Sequence, residues 1–208
     1  MSTVLVINSS ILGSGSASRQ MVDHSLQRLL AIEPQARVIQ RDLGAEPIPH
    51  LSEANWAGVR GTPSTAIELE TRALSDQLLD ELRTADTLLI GAPMYNFSLP
   101  TALRSWFDHV LRAGETFRYG ASGPQGLLSG KRVIVIESRG GLYSEGPAQA
   151  LDFQEPYLRQ LFAFMGLTDV HFLRLEKLGS GAEARAAALE SAKASLESIL
   201  DAQFAQAA

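Results

Sequence analysis

The segment TLLIGAPMYNFSLP, Thr87 to Pro100, decides the fold. Thr87 to Ala92 is a short apolar run without polar alternation, the pattern of a strand buried on both faces, and Pro93 stops it. A helix begins after Pro100, because proline is tolerated in a first helical turn, where its missing N–H would have no intrahelical partner. Trp106, Phe107, Val110 and Leu111 give that helix an apolar face. A doubly buried strand feeding a helix is the unit from which parallel sheets are built.

The same unit recurs on either side. Thr3 to Asn8 (TVLVIN) is another buried strand, stopped by Asn-Ser-Ser, and from Ser18 a helix follows with Met21, Val22, Leu26, Leu29 and Leu30 at helical spacing, ending near Pro34. Arg37 to Arg41 reads as a shorter strand and Ile67 to Thr84 as a helix. Arg132 to Ser138 (RVIVIES) is a fourth strand, Tyr157 to Met165 a helix, Val170 to Leu175 a fifth strand, and Ala182 to Gln206 an Ala-rich closing helix. Two stretches rich in Gly and Pro interrupt the series: Asp42 to Ala66, in which Leu51 to Val59 is open to a helix, and Gly114 to Gly130. Five βα units predict an α/β fold in one domain, residues 1–208, with right-handed crossovers. The expected sheet is five-stranded and parallel, of flavodoxin-like order 2-1-3-4-5, with helices on both faces and a ligand outside the carboxyl ends of the strands.

Composition narrows the chemistry. The 208 residues are 45% hydrophobic and 20% charged, with mean hydropathy +0.02, as expected of a soluble globular chain. With no Cys, disulfides, thiolate nucleophiles, Fe–S clusters and Cys-ligated zinc are excluded together, so any redox chemistry must come from a bound cofactor. A net charge of -5 carries no electrostatic footprint for nucleic acid. No run approaches the ~20 apolar residues of a membrane span, and Met1-Ser2-Thr3 leads into Val4 without a signal-like segment. The expected location is therefore cytoplasmic.

The geometric rule points to the loops after the first, third and fourth strands, and these are the unusual ones. The first, Ser9 to Ser18, is dense in hydroxyls immediately before a helix, where free N–H groups and the helix dipole favour a phosphate. A plain serine N-cap on a flexible loop is the alternative. The third, Ala92 to Pro100, offers Met94, Tyr95, Asn96 and Phe97 as a wall for a flat heteroaromatic ring, or else Tyr95 and Phe97 cap the core beneath. The fourth, Ser138-Arg139-Gly140-Gly141, presents N–H donors to a ligand or makes an ordinary tight turn.

Together these loops give the chain a family likeness. With SSIL and the later SAS, PMYNF, FDHVLRAGETFRYG, GPQGLLSGK and SRGG, it resembles the FMN-dependent NAD(P)H azoreductases and quinone reductases of flavodoxin-like fold, over nearly its whole length. The resemblance implies that Ser10, Ser16, Ala17 and Ser18 hold the FMN phosphate and that Met94, Tyr95, Asn96 and Phe97 line the isoalloxazine. Ser138, Arg139, Gly140 and Gly141 would meet its pyrimidine edge. It implies a homodimer, a substrate side lined partly by the partner chain, and substrate-facing roles for Tyr119, Phe164 and Arg60. The implied chemistry is ping-pong: hydride from NADH or NADPH reaches flavin N5, and a quinone or azo compound then takes two electrons in the same place. The cofactor carries this reaction, so no side chain is a catalytic nucleophile, and N–H groups of Gly140 and Gly141 would stabilise charge at the N1/O2 edge.

Rival mechanisms find little support. There is no Walker A ending, no G-x-G-x-x-G fingerprint and no G-x-S-x-G elbow. His24, His50, His109 and His171 show no metal-ligand spacing, and they and Asp23, Asp42 and Asp108 read as structural or surface groups. A flavodoxin-like electron carrier without a small substrate is the alternative, against which the long excursions and Phe117-Arg118-Tyr119 favour a built pocket. A receiver-type signalling domain would place an acidic phosphoacceptor where Pro93-Met94 stands.

Overall fold

The computed structural model describes residues 1–205 of the chain. In order, the elements are β1 (Thr3–Asn8), α1 (Ala17–Ile32), β2 (Arg37–Asp42), α2 (Trp56–Arg60), α3 (Ala66–Thr84), β3 (Thr87–Pro93) and α4 (Thr101–Val110). They continue with β4 (Phe117–Gly120), β5 (Gly123–Gly126), β6 (Arg132–Ser138), α5 (Glu155–Met165), β7 (Asp169–Leu175) and α6 (Ala182–Ala205). The main sheet is parallel, in the order β2-β1-β3-β6-β7. With the hairpin β4-β5 set aside, this is the expected 2-1-3-4-5.

Alternation along the strands sorts the core into two layers. Leu5, Ile7, Leu88, Ile90, Val133 and Val135 face Leu78, Leu79 and Leu82 of α3, Trp106 and Phe107 of α4, and Leu158 and Phe162 of α5. Val4, Val6, Leu89, Ile134 and Ile136 face Met21, Val22 and Leu29 of α1 and Leu196 and Leu200 of α6. Helices therefore cover both faces. β2 is an edge strand in which only the adjacent pair Val38 and Ile39 is apolar, flanked by Arg37, Gln40, Arg41 and Asp42, and it is the least buried of the first three strands.

Local chemistry sets the boundaries. α3 starts one residue earlier than its spacing predicts because Thr65 and Glu68 form a reciprocal capping box, Thr65 N–H donating to Glu68 Oε2 at 2.9 Å. Pro100 is the N-cap of α4. Of the Leu51 to Val59 expectation only the part from Trp56 is helical, in a helix that runs on to Arg60, since Asn55 folds back on the preceding turn, accepting from Ser52 N–H at 2.7 Å and donating to the His50 carbonyl at 3.0 Å. The stretch Gly114 to Gly130 contains an antiparallel hairpin that patterning did not predict. Gln206, the last residue of the expected closing helix, lies outside the described residues.

Candidate functional site

At the carboxyl end of β1, Ser9 Oγ donates to the Gly91 carbonyl at 2.6 Å and anchors the first loop to β3. Ser16 is the N-cap of α1, its Oγ accepting from Arg19 N–H at 3.2 Å and lying 3.0 Å from Ser18 Oγ. The capping role is real, and it does not exhaust the helix end: the first-turn N–H groups of Ala17 and Ser18 have no intrahelical acceptor. Ser10, Ser16, Ala17 and Ser18 are all buried around this point. Arg19 pairs with Asp42, whose Oδ1 also accepts from Gly44 N–H at 3.1 Å, so Asp42 closes the turn after β2.

The third loop is a tight reversal. Tyr95 N–H donates to the Ser98 carbonyl at 2.9 Å and Ser98 N–H returns to Tyr95 at 3.1 Å, while Asn96 and Phe97 both have positive φ, 47° and 69°. Positive φ at both central residues marks a type I′ turn, which Asn tolerates and Phe does not favour. The turn leaves Phe97 44% exposed, so Phe97 does not cap the core. Its ring meets Tyr143 edge-on at 6.1 Å, and its carbonyl accepts from Phe153 N–H at 3.1 Å. Tyr95 Oη lies 3.3 Å from Ser10 Oγ and accepts from Ile11 N–H at 3.2 Å, and Met94 N–H donates to the Ser138 carbonyl at 2.8 Å. All three loops thus meet on one rim.

In the fourth loop neither Gly140 nor Gly141 has positive φ, so no left-handed conformation requires the glycine pair. Arg139 departs from expectation. Its side chain is 0% exposed, with Nη2 2.7 Å from Glu137 and 3.0 Å from Asp152, and Nη1 3.2 Å from Glu176. Its N–H donates to the Leu175 carbonyl at 2.8 Å. Both Nη atoms of Arg139 are therefore committed to carboxylates inside the protein, because an unpaired buried cation would be far costlier than this pairing. Burial opposes its charge, but Glu137 and Asp152 outweigh that and hold its pKa above the ordinary value. Burial also pushes Glu137 up to about 8 despite Arg139.

Sequence reasoning missed a cavity of about 350 Å³ beside this rim, lined by Ser9, Ile11, Ile48, His50, Tyr95 and Thr101 among others. Its signal was the placing of Pro47 and His50 in an excursion directly after β2. The substrate-side residues are not brought to the loops within one chain. Arg60 donates to the Leu111 carbonyl at 2.7 Å, at the far end of α4, a helix of about 15 Å. Phe164 packs on Phe117 at 4.5 Å near the C-terminus of α5, and Tyr119 on the hairpin is 75% exposed. Of the histidines, His109 is buried and held below its ordinary pKa by that burial, His50 Nδ1 lies 2.8 Å from Ser105 Oγ, and His171 Nε2 lies 2.7 Å from Asp169, a contact that spacing did not reveal. Among the described residues no three such groups are placed to hold a metal, and no helix is long and apolar enough to cross a membrane.

A parallel sheet of this order, with its singular loops on the switch-point rim, is the architecture of the flavodoxin-like fold, and the chain belongs to that family, which it matches over residues 2–200. It is 60% identical over 199 residues to the FMN-dependent NADH:quinone oxidoreductase of Hyphomonas neptunium, covering 96% of each chain. It is 48% identical to the protein of the same name from Ralstonia nicotianae, covering 95% of this chain and 97% of that one. Among solved structures it superposes on an azoreductase from Bacillus anthracis with TM-score 0.84 at 28% identity, covering 95% of this chain and all of that one.

Proposed function

We propose that the protein is an FMN-dependent NADH:quinone oxidoreductase that also reduces azo compounds. One observation carries this reading: unpartnered donors stand at both ends of a single rim, at the α1 N-terminus and at Gly140 and Gly141, with Met94, Tyr95, Asn96 and Phe97 between them. That order of anion site, wall and N–H edge suits a flavin mononucleotide. The names and 60% and 48% identities of the relatives support the same chemistry.

In this reading Ser10, Ser16, Ala17 and Ser18 hold the phosphate, with the α1 dipole favouring its charge. Met94 and the Tyr95-Phe97 turn lie along the ring, and Asn96, exposed at the turn, offers its amide to the polar edge. Bound FMN supplies the two-electron carrier between NADH and the acceptor. The backbone donors of the fourth loop orient it and stabilise negative charge at its pyrimidine edge. Arg139 supports that loop from behind.

The reading includes a single domain and a homodimer. A second copy supports it because Tyr119, Phe164 and Arg60 lie a helix length from their own rim, where only another chain's site would use them as substrate contacts. The cytoplasm, where reduced nicotinamide nucleotides are kept, is the matching location. Purified protein should be yellow, and should oxidise NADH or NADPH with a benzoquinone or an azo dye as acceptor. Flavin binding without turnover of either nucleotide would make it an electron carrier, and failure to reconstitute with FMN would remove the premise.

A further inference from the structure

The carbonyls of Arg139, Gly140 and Gly141 all turn toward one neighbour, the segment that follows β7. Leu178 N–H donates to Arg139 O at 3.1 Å, Gly179 N–H to Gly140 O at 3.0 Å, and Lys177 N–H to Gly141 O at 2.9 Å. In a planar trans peptide the N–H of the next residue points opposite to the carbonyl. Three successive N–H groups, of Gly140, Gly141 and Leu142, are therefore turned away from the segment 177–179, and among the described residues none has an acceptor. The row runs from exposed Gly140 to half-buried Gly141 and Leu142, and successive N–H groups turned to one side make an anion-facing concavity.

Glycine at 179 permits the closest approach: a Cβ there would stand 3.2 Å from the Gly140 carbonyl oxygen and would push the segment off the loop by a few tenths of an ångström. Lys177 has φ 59°, a left-handed conformation uncommon for Lys, which turns the chain under the loop. Glu176 locks the other side. Its Oε1 accepts from Tyr143 N–H at 2.8 Å and Ser144 N–H at 2.9 Å and lies 3.2 Å from Arg139 Nη1, and its Oε2 accepts from Ser144 Oγ at 2.5 Å. Burial opposes its ionisation, but the bonds from Ser144 and Tyr143, with Arg139, outweigh this and keep it below the ordinary carboxylate range.

We infer that Glu176 and the turn Lys177–Gly179 are positioning residues that aim the N–H groups of Gly140, Gly141 and Leu142 at the edge of the cofactor where negative charge collects on reduction. This rests on the flavin reading above. It adds Leu142 as a third donor and assigns the aim of the row to residues about 35 positions away in sequence.

The test compares wild type, Glu176→Gln and Gly179→Ala, each checked for folding by its melting transition, for FMN affinity on reconstitution of the apoprotein and for two-electron midpoint potential. Both variants should bind oxidised FMN about threefold more weakly, the loss of roughly one hydrogen bond's alignment. Reduced FMN should lose about tenfold more, which lowers the potential by about 30 mV for a two-electron couple. Equal losses for the oxidised and reduced forms, or an unchanged potential in both variants, would overturn the inference. A wild-type protein that takes up no FMN would instead overturn the flavin reading.

Discussion

The hydroxyl of Tyr95 lies 3.3 Å from Ser10 Oγ and joins the loop after β3 to the loop after β1. The same oxygen accepts from Ile11 N–H at 3.2 Å, so one side chain ties the α1 end of the rim to the Tyr95–Phe97 turn. Tyr95→Phe keeps the ring and removes only this tie. A single hydrogen bond of this kind contributes about 0.5–1.5 kcal/mol, so FMN affinity should fall by roughly two- to tenfold while the melting temperature moves little. Titration of the apoprotein with FMN measures this. Unchanged affinity would mean that the two loops hold their spacing without the hydroxyl.

Asn96 combines two duties that substitutions can separate. Its φ of 47° is required by the turn, and its exposed amide is the group proposed to meet the cofactor. Asn96→Gly satisfies the backbone and should leave stability nearly unchanged while weakening FMN binding. Asn96→Val places a β-branched residue in the left-handed region, at a cost of about 1–2 kcal/mol, and should lower both stability and binding. If Gly at this position binds FMN as well as Asn does, the amide has no role and the turn alone matters.

How far the sequence was legible follows from which contacts are local. β1, β3 and β6 read as unbroken apolar runs because both faces are buried, and their order follows from the βα alternation. The turn residues Asn96 and Phe97 stand out between Pro93 and Pro100. Arg139 could not be placed the same way: its partners Asp152, Glu155 and Glu176 arrive from other elements, so a charged residue beside two glycines resembled a ligand contact. The Leu142 donor had no signature at all, because backbone N–H groups are the same in every residue but proline. The hairpin failed for a related reason, since its two strands have only four residues each and the second, Gly-Pro-Gln-Gly, carries no apolar alternation.

Glu137 links the buried charge cluster to pH. Its pKa is raised to about 8 by burial, so between pH 4.5 and 8 the folded protein holds a proton that the unfolded chain has released. The contribution is fully present below about 4.5 and is lost as pH rises through 8, with a limiting slope near 1.4 kcal/mol per pH unit for one proton. Glu155 and Glu176, held low, act in the opposite sense and only in acid. His109, lowered by burial, adds stability as pH rises through its range, and so must be cancelled by comparison. Denaturant melts of wild type and Glu137→Gln from pH 5 to 9 should show a difference in stability that changes steadily up to about pH 8 and then levels. A constant difference would place the proton elsewhere.

Gly126 tests the hairpin that patterning missed. A Cβ at this position would lie 2.1 Å from the Gly166 nitrogen and 2.3 Å from the Met165 carbonyl carbon, so β5 packs backbone-on-backbone against the end of α5. Gly166 itself has φ 90° and ends that helix in a left-handed cap, so it cannot retreat without opening the cap. Gly126→Ala must lift the hairpin, at a cost of about 1–3 kcal/mol for overpacking. Tyr119 moves with it, while the three loops at the other end of α4 and α5 are untouched. On the homodimer reading proposed above, FMN affinity should therefore stay at the wild-type value while the quinone KM rises and self-association weakens in sedimentation. A variant that loses FMN with the quinone KM unchanged would show that the hairpin supports the cofactor, and that Tyr119 does not face the acceptor.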